Sequence, residues 1–130
     1  MDTKELIKAV FKLVFEEKVT DEETLSQYFS PSYVQTVNNE TLDFEAFVKH
    51  IAHLQAKISA CTITFKRLVA EDNVVFSNHM VDSTLQNGDH VRHHVIAEFE
   101  IQDGKIVKCD ELTCLLEGHA TYRDLGSAQH

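Results

Sequence analysis

The chain has 130 residues, a length that suits one ordinary domain, and 43% hydrophobic residues, enough to build a core. One Pro and four Gly exclude a collagen-like or low-complexity chain, and no apolar run approaches the ~20 residues that span a bilayer. Twelve Lys+Arg against twenty-one Asp+Glu give a net charge of −9, which repels phosphate backbones and anionic lipid and argues against nucleic-acid and membrane-surface partners.

The opening stretch has no secretory layout, so a cytoplasmic location is expected. Cys61, Cys109 and Cys114 form no CxxC pair and match no zinc spacing. They read as reduced thiols that pack as small apolar residues.

In chain order, Leu6, Ile7, Val10, Phe11 and Val14 recur as one stripe of an amphipathic helix, with Asp2 and Glu5 at its start. A second helix is expected from Thr20, with Glu23 completing a capping box and Ser30-Pro31 ending it. A short extended segment at Tyr33-Val34-Gln35 follows, an optional edge strand. The third helix runs from about Asp43 to Lys57, with Phe44, Phe47, Ile51 and Leu54 in its stripe and His50 and His53 beside it.

From Ser59 the period changes to two. Strands are expected over CTITFKRLVA, NVVFSNHMVDSTL, HVRHHVIAEFEI and KIVKCDELTCLL, with turns at Glu71-Asp72-Asn73, Asn87-Gly88 and Asp103-Gly104. The fold class is α+β: three N-terminal helices packed on a strongly curved antiparallel sheet. Residues 1–130 form one domain with no linker or repeat, and 119–130 is a polar, partly loose tail.

The hairpins select candidate residues. A two-residue Asn87-Gly88 turn opposes Asp82 to His93, Met80 to Val95, Asn78 to Ala97 and Phe76 to Phe99. The His93 face of its strand is otherwise apolar, so His93 points inward. Opposed residues hold their Cβ atoms ~4.5–5.5 Å apart, close enough for Asp82 to fix the imidazole for acid–base work. A self-satisfied buried pair is the plainer alternative. A three-residue turn shifts the register by one and is expected to oppose His93 to Ser83. The Asp103-Gly104 turn carries Ala97 opposite Asp110, which then faces inward, but the same register turns Lys108 inward unless a bulge intervenes. His79, His90 and His94 read as an outer-face group with no inward Asp or Cys to complete a metal set, so no metal site is expected.

The segment Ser32-Tyr33-Val34-Gln35, the helix FEAFVKHIAHLQAKI and the stretch FEIQDGKIVKCDELT resemble the nuclear transport factor 2-like superfamily. Within it the chain is similar to the SnoaL-like polyketide cyclase group and its limonene epoxide hydrolase and ketosteroid isomerase relatives, over roughly Leu6 to Leu116. The resemblance implies a cone-shaped α+β barrel with a cavity, no metal or cofactor, and a homodimer through the outer sheet face, for which Val75, Val81, Leu85 and Ile96 are the candidate apolar positions beside His79, Arg92, His94 and Glu98. It implies that Asp110 and Asp82 are nearest the family carboxylates, and that Tyr33 and Gln35 match the Tyr-x-Asn pair holding a water in the hydrolase relative. That relative has an inward Arg where this sequence has Met80.

Two functions follow. One is a cofactor-independent isomerase, cyclase or hydrolase that moves protons on an apolar or polyketide-like molecule through Asp82, His93 and Asp110, in a pocket of Tyr33, Gln35, Asn78, Met80 and Phe99. The other is a non-catalytic ligand-binding or dimeric interaction module.

Overall fold

The structure is a computed structural model that describes residues 2–118; the expected loose tail lies outside the described residues. Helix α1 (Thr3–Phe11) runs into one π-type turn over Lys12–Glu16. Then come α2 (Glu22–Leu25), β1 (Phe29–Val37), β2 (Glu40–Asp43) and α3 (Phe44–Lys57). Four long strands complete the chain: β3 (Ile58–Glu71), β4 (Val74–Leu85), β5 (His90–Gln102) and β6 (Lys105–Glu117). The architecture is α+β, a single curved six-stranded sheet in the order β2-β1-β6-β5-β4-β3, against which the helices pack. No helix among the described residues is long and apolar enough to cross a membrane.

Local chemistry sets the helices. Asp2 accepts from the Glu5 amide at 2.8 Å and starts α1, whose stripe Leu6, Ile7, Val10 and Phe11 is buried, as is Val14 in the turn that follows. Each such side chain stabilises the fold by roughly 1.5–3 kcal/mol. Asp43 caps α3 through the Ala46 amide at 2.9 Å.

The second helix is shorter than expected. Its cap is Asp21, which accepts from both the amide and the hydroxyl of Thr24, and it lasts one turn. Phe29 already belongs to β1, because Pro31 holds the chain around it extended. Pro31 lies in the stretch where β1 loses register with β6, between the Phe29↔Ile106 and Val34↔Lys108 pairs, so its missing N–H interrupts neither.

The sheet is not wholly antiparallel. β1 pairs antiparallel with β2 and parallel with β6, so the segment read as an optional edge strand lies inside the sheet. The four-strand meander over β3–β6 is as the alternation indicates, but two registers differ from the simplest hairpin count.

The first difference is at Asn87-Gly88. Leu85 and Asp89 close a three-residue loop: the Leu85 amide donates to the Asp89 carbonyl at 2.8 Å, and Gly88, at φ +90°, donates back to Leu85. Gln86 leaves the β4–β5 ladder because its amide donates to the Lys57 carbonyl at 2.9 Å, at the α3–β3 junction. His93 therefore opposes Val81, neither Asp82 nor Ser83, and Asp82 opposes Arg92. Every residue of β4 turns to the other face from the one expected. Val75, Ser77, His79, Val81, Ser83 and Leu85 face inward, which removes Val75, Val81, Leu85 and His79 from the outer face.

The second difference is a bulge in β6. Asp103-Gly104 pairs Ile101 with Ile106 as expected, but Glu100 then pairs with Lys108, one residue out of step. The bulge leaves Lys108 exposed and turns Cys109, Glu111 and Thr113 inward. Beyond it, Asn38 clamps β1 to β6. Its side chain accepts from the Thr113 amide at 3.0 Å and donates to the Thr113 carbonyl at 3.2 Å, while its own amide donates to the Glu111 carbonyl.

The N-terminal segment also touches the outer edge of β3. Glu16 accepts from the Ile63 amide at 3.2 Å, and the Lys18 ammonium donates to the Ile58 carbonyl.

Asn38 has φ +48°, a left-handed conformation that Asn tolerates better than most residues. Asn38→Ala is expected to lose about 2 kcal/mol in urea unfolding through lost hydrogen bonds and backbone strain together. Asn38→Gly, which keeps the backbone easy, is expected to lose about half of that.

Candidate functional site

The inward rows of the sheet and the inner faces of α1 and α3 enclose a cavity with about 710 Å³ of empty space, part of it open to solvent. Its walls are mainly apolar, with Phe11, Phe15, Phe47, Ile51 and Val95 among them. Into this lining project Gln35 from β1, His50 from α3, His79 from β4, His93 from β5 and Glu111 from β6. A second chamber, with about 430 Å³ of empty space, part of it open to solvent, adjoins it toward α1 and shares Gln35 and Glu111 in its wall.

Among the described carboxyls, Glu111 is the one that its surroundings raise. Burial first, and the neighbouring Asp110 charge second, raise its carboxyl from the usual 4.5 to about 7. An acid poised there exchanges a proton near neutral pH, the property acid–base catalysis needs. Beside it on β1, the Tyr33 hydroxyl donates to Gln35 Oε1 at 3.0 Å, both residues buried. Burial, with the nearby Cys109 and Glu111, pushes the Tyr33 hydroxyl well above its ordinary range, so Tyr33 stays a neutral donor. With Oε1 engaged, Gln35 has its Nε2 hydrogens to offer a guest. Burial likewise raises the Cys109 thiol, and it raises the Cys61 thiol to about 11, so neither is a thiolate nucleophile.

His79 has the opposite perturbation. It is 1% exposed, lies edge-on to Phe11 with ring centroids 4.8 Å apart, and shares a 2.5 Å hydrogen bond with Ser77. Desolvation lowers its pKa to about 4, so it stays neutral at physiological pH. His50 and His93 are also buried and line the same cavity.

The expected site residues divide between the two faces. His93, Tyr33 and Gln35 are inward and Phe99 lines the inner chamber. Asp82 and Asp110 are outside. Asp82 is half-buried on the outer face, 3.4 Å from Arg92 and 3.8 Å from His90, because Gln86 is drawn out of the hairpin. The β6 bulge leaves Asp110 exposed, opposite Glu98 and Thr36. The Asp82–His93 pair therefore does not form.

Asn78 is also outward, its Oδ1 accepting from His94 Nε2 at 2.5 Å, and Met80 shares that face, buried between Thr64 and His94. The expected His79, His90, His94 group is not a group, since His79 lies on the opposite face. Among the described residues no three His, Cys, Asp or Glu gather closely enough to hold a metal ion.

Two cavity residues escaped the sequence reading, and each left a signal. Lys108 in an inward register was the sign of a bulge, and a one-residue bulge after Ile106 brings Glu111 inward. His50 stands three residues after Phe47 and four before Leu54, inside the buried stripe of α3 rather than beside it; His53 is exposed.

The SnoaL-like domain model matches residues 8–109, most of the described sequence. The chain belongs to the SnoaL-like family. Its curved sheet and helices have the cone fold of that family within the nuclear transport factor 2-like superfamily. An uncharacterized protein of Schizosaccharomyces pombe, C11D3.04c, is 32% identical over 128 residues, covering 98% of each chain. Among solved structures, IdmH of Streptomyces antibioticus, a candidate polyketide cyclase, is 18% identical with a TM-score of 0.72, over 87% of this chain and 92% of its own. An LEH-like epoxide hydrolase of M. tuberculosis is 14% identical with a TM-score of 0.70, over 85% and 81%. At these identities the SnoaL-like structures establish the shared fold, and the chemistry has to come from the cavity.

The two perturbed groups oppose one another in stability. Glu111, raised from 4.5 to about 7, favours the folded state below pH 4.5 and loses that contribution as pH rises through 7. His79, lowered from 6.5 to about 4, contributes fully above pH 6.5 and loses its contribution as pH falls through 4. Glu111→Gln is expected to raise stability at pH 8 by on the order of 2 kcal/mol and to leave it nearly unchanged at pH 4.5. The variant should show a steeper acid loss than the parent between pH 6.5 and 4, measured by urea unfolding across pH. Tyr33→Phe, which strands the buried Gln35 carbonyl, is expected to cost about 1–3 kcal/mol in the same assay.

Proposed function

We propose that the chain is a cofactor-independent enzyme of the isomerase or cyclase kind, which binds a small apolar molecule in its cavity and moves a proton on it. The observation that carries this reading is Glu111, a carboxyl held near neutrality inside a mainly apolar cavity. Glu111 is the base, taking a proton from a carbon next to a carbonyl. The Gln35 Nε2 hydrogens meet the oxygen on which charge develops. The Tyr33–Gln35 pair orients the carboxylate and the guest.

The family and the cyclase-like and hydrolase-like neighbours support the same class. In this reading Asp82 and Asp110 take no part, since both are outward. Three free cysteines, two of them buried, suit a reducing compartment such as the cytoplasm.

The same reading makes the protein a homodimer through its outer sheet face. Phe76, Ile96 and Leu112 are 46%, 44% and 62% exposed there, on a face that also carries His94, Glu98 and Asp110. Sedimentation is expected to give a dimer that Ile96→Glu with Leu112→Glu converts to monomer. A strict wild-type monomer at micromolar concentration removes this part of the proposal.

Catalysis is tested with 2-tetralone, an uncharged ketone with acidic α-hydrogens, by following deuterium incorporation by NMR. The wild-type protein is expected to accelerate exchange at least tenfold over buffer, with a rate that rises with pH and levels off above about 7 as Glu111 ionises. Glu111→Gln should abolish the acceleration; Asp82→Asn and Asp110→Asn should keep it. Binding of 2-tetralone without any acceleration would instead favour a non-catalytic ligand-binding module.

A further inference from the structure

His79 stands in the cavity wall with one ring nitrogen committed and one to spare. Nδ1 shares its hydrogen bond with Ser77, which is buried and lines neither chamber. His79 does line the cavity, so the nitrogen left to it is Nε2. Phe11 and Phe65 flank the ring, with centroids 4.8 and 5.6 Å away, and their rings supply no oxygen or nitrogen to accept from it.

Counting hydrogens sets the tautomer. The Ser77 hydroxyl has one hydrogen and, among the described residues, Nδ1 as its one side-chain partner. Were Nδ1 to hold the proton, that hydroxyl hydrogen would be buried with nothing to accept it. Ser77 therefore donates to Nδ1, and Nε2 carries the ring hydrogen. Burial, which lowers the His79 pKa to about 4, keeps the ring neutral and in this form at physiological pH. The cavity thus has a fixed, uncharged N–H donor for which the described residues supply no acceptor.

Sheet order sets that donor apart from the acid. His79, Val95 and Thr113 form one row across β4, β5 and β6, and Glu111 is the inward residue of β6 before Thr113. His79 is therefore two strand spacings, about 9–10 Å, from the strand that carries Glu111. Gln35 lies one strand further on, in β1.

We propose that His79 is a specificity-determining residue, whose Nε2–H receives a second acceptor oxygen at the end of the guest remote from Glu111. This rests on the reading of Glu111 as a base beside one carbonyl, and it adds a second point of recognition across the cavity. A guest whose one oxygen sits at Gln35 leaves the His79 N–H unmet. Ser77 is the positioning residue, because it holds the ring in the donating tautomer. The acceptor is an ether, ester, carbonyl or hydroxyl oxygen. An alkyl group in its place covers the N–H without pairing it, so the site selects against that group as well as for the oxygen.

The test titrates 2-tetralone derivatives into protein with isotope-labelled histidines at pH 7.5. Each methoxy isomer, at ring positions 5 to 8, is compared with its ethyl counterpart, which has the same shape without the oxygen. One methoxy isomer is expected to bind at least fivefold more tightly than its ethyl partner. His79→Leu should reduce that preference below twofold, and His79→Gln, which keeps an N–H donor at similar reach, should retain most of it. In the free protein the ring nitrogen shifts of His79 should show the Nε2–H tautomer. Ser77→Ala should mix the tautomers and weaken the preference, and Ser77→Thr should restore both. The tautomer and the methoxy preference are read on the wild-type chain, so neither depends on a variant folding.

Equal binding of every methoxy and ethyl pair, a preference that survives His79→Leu, an Nδ1–H ring, or no binding of any tetralone would each overturn the proposal. A methoxy preference that needs His79, on a protein that exchanges no α-hydrogen, would uphold the His79 contact while removing Glu111 as the base. Exchange that needs Glu111, with no methoxy preference, would do the opposite.

Discussion

The parallel seam between β1 and β6 is the constraint from which the interior follows. It is held at one end by the Ile106 amide donating to the Tyr28 carbonyl and at the other by the Asn38 side chain on Thr113. Between these fixed ends β6 takes up one extra residue. That residue decides which of Lys108, Asp110 and Glu111 meets water and which meets the core. A lysine and an aspartate go out and a glutamate comes in, so the only acid that enters the cavity from β6 has the longer, more adjustable side chain.

An acid brought inside in this way has to be accommodated. The surroundings hold it near neutrality rather than pairing it with a cation, and they do so with Phe rings, a Tyr–Gln hydrogen bond and a thiol too basic to ionise. His79, fully buried two strands away on β4, is kept neutral from the other direction. The interior therefore carries two titratable groups whose pH dependences run in opposite senses, and stability changes little between about pH 4.5 and 6.5 on their account. The proposed function needs the first of them to titrate, and the second offsets its effect on stability.

Much of the fold could be read from residue order. The α1 stripe, the Asp43 start of α3, the four long strands and the Asp103-Gly104 turn all follow from periodicity and turn chemistry, and the family resemblance rests on the same stretches. What stayed hidden was non-local. Gln86 leaves its hairpin for a carbonyl on the far end of α3, and β6 bulges against β5 where it also pairs with β1, a strand some seventy residues earlier. Neither partner lies within the hairpin whose register it alters, and a shift of one residue exchanges the two faces of a strand. Such shifts put Asp82, Asp110, Asn78 and Met80 on the outer face, where simple alternation expects them inward, while His93, Tyr33, Gln35 and Phe99 face the interior. Glu111 is hidden for the same reason, whereas His50 is legible from its helical spacing to Phe47 and Leu54 in the buried stripe of α3.

The tethers that Glu16 and Lys18 make to β3 bear on how sheets of this kind join. A long edge strand with unmet amides and carbonyls is a template for zippering onto another strand, the route by which sheet proteins aggregate. Along Ile58 to Ile63 that template is already written over, one amide by a carboxylate and one carbonyl by an ammonium. A strand approaching there would have to displace an ion on each side, so growth along the hydrogen-bonding direction is discouraged next to the cavity. Contact through side chains on a sheet face meets no such obstacle and leaves the cavity rim untouched.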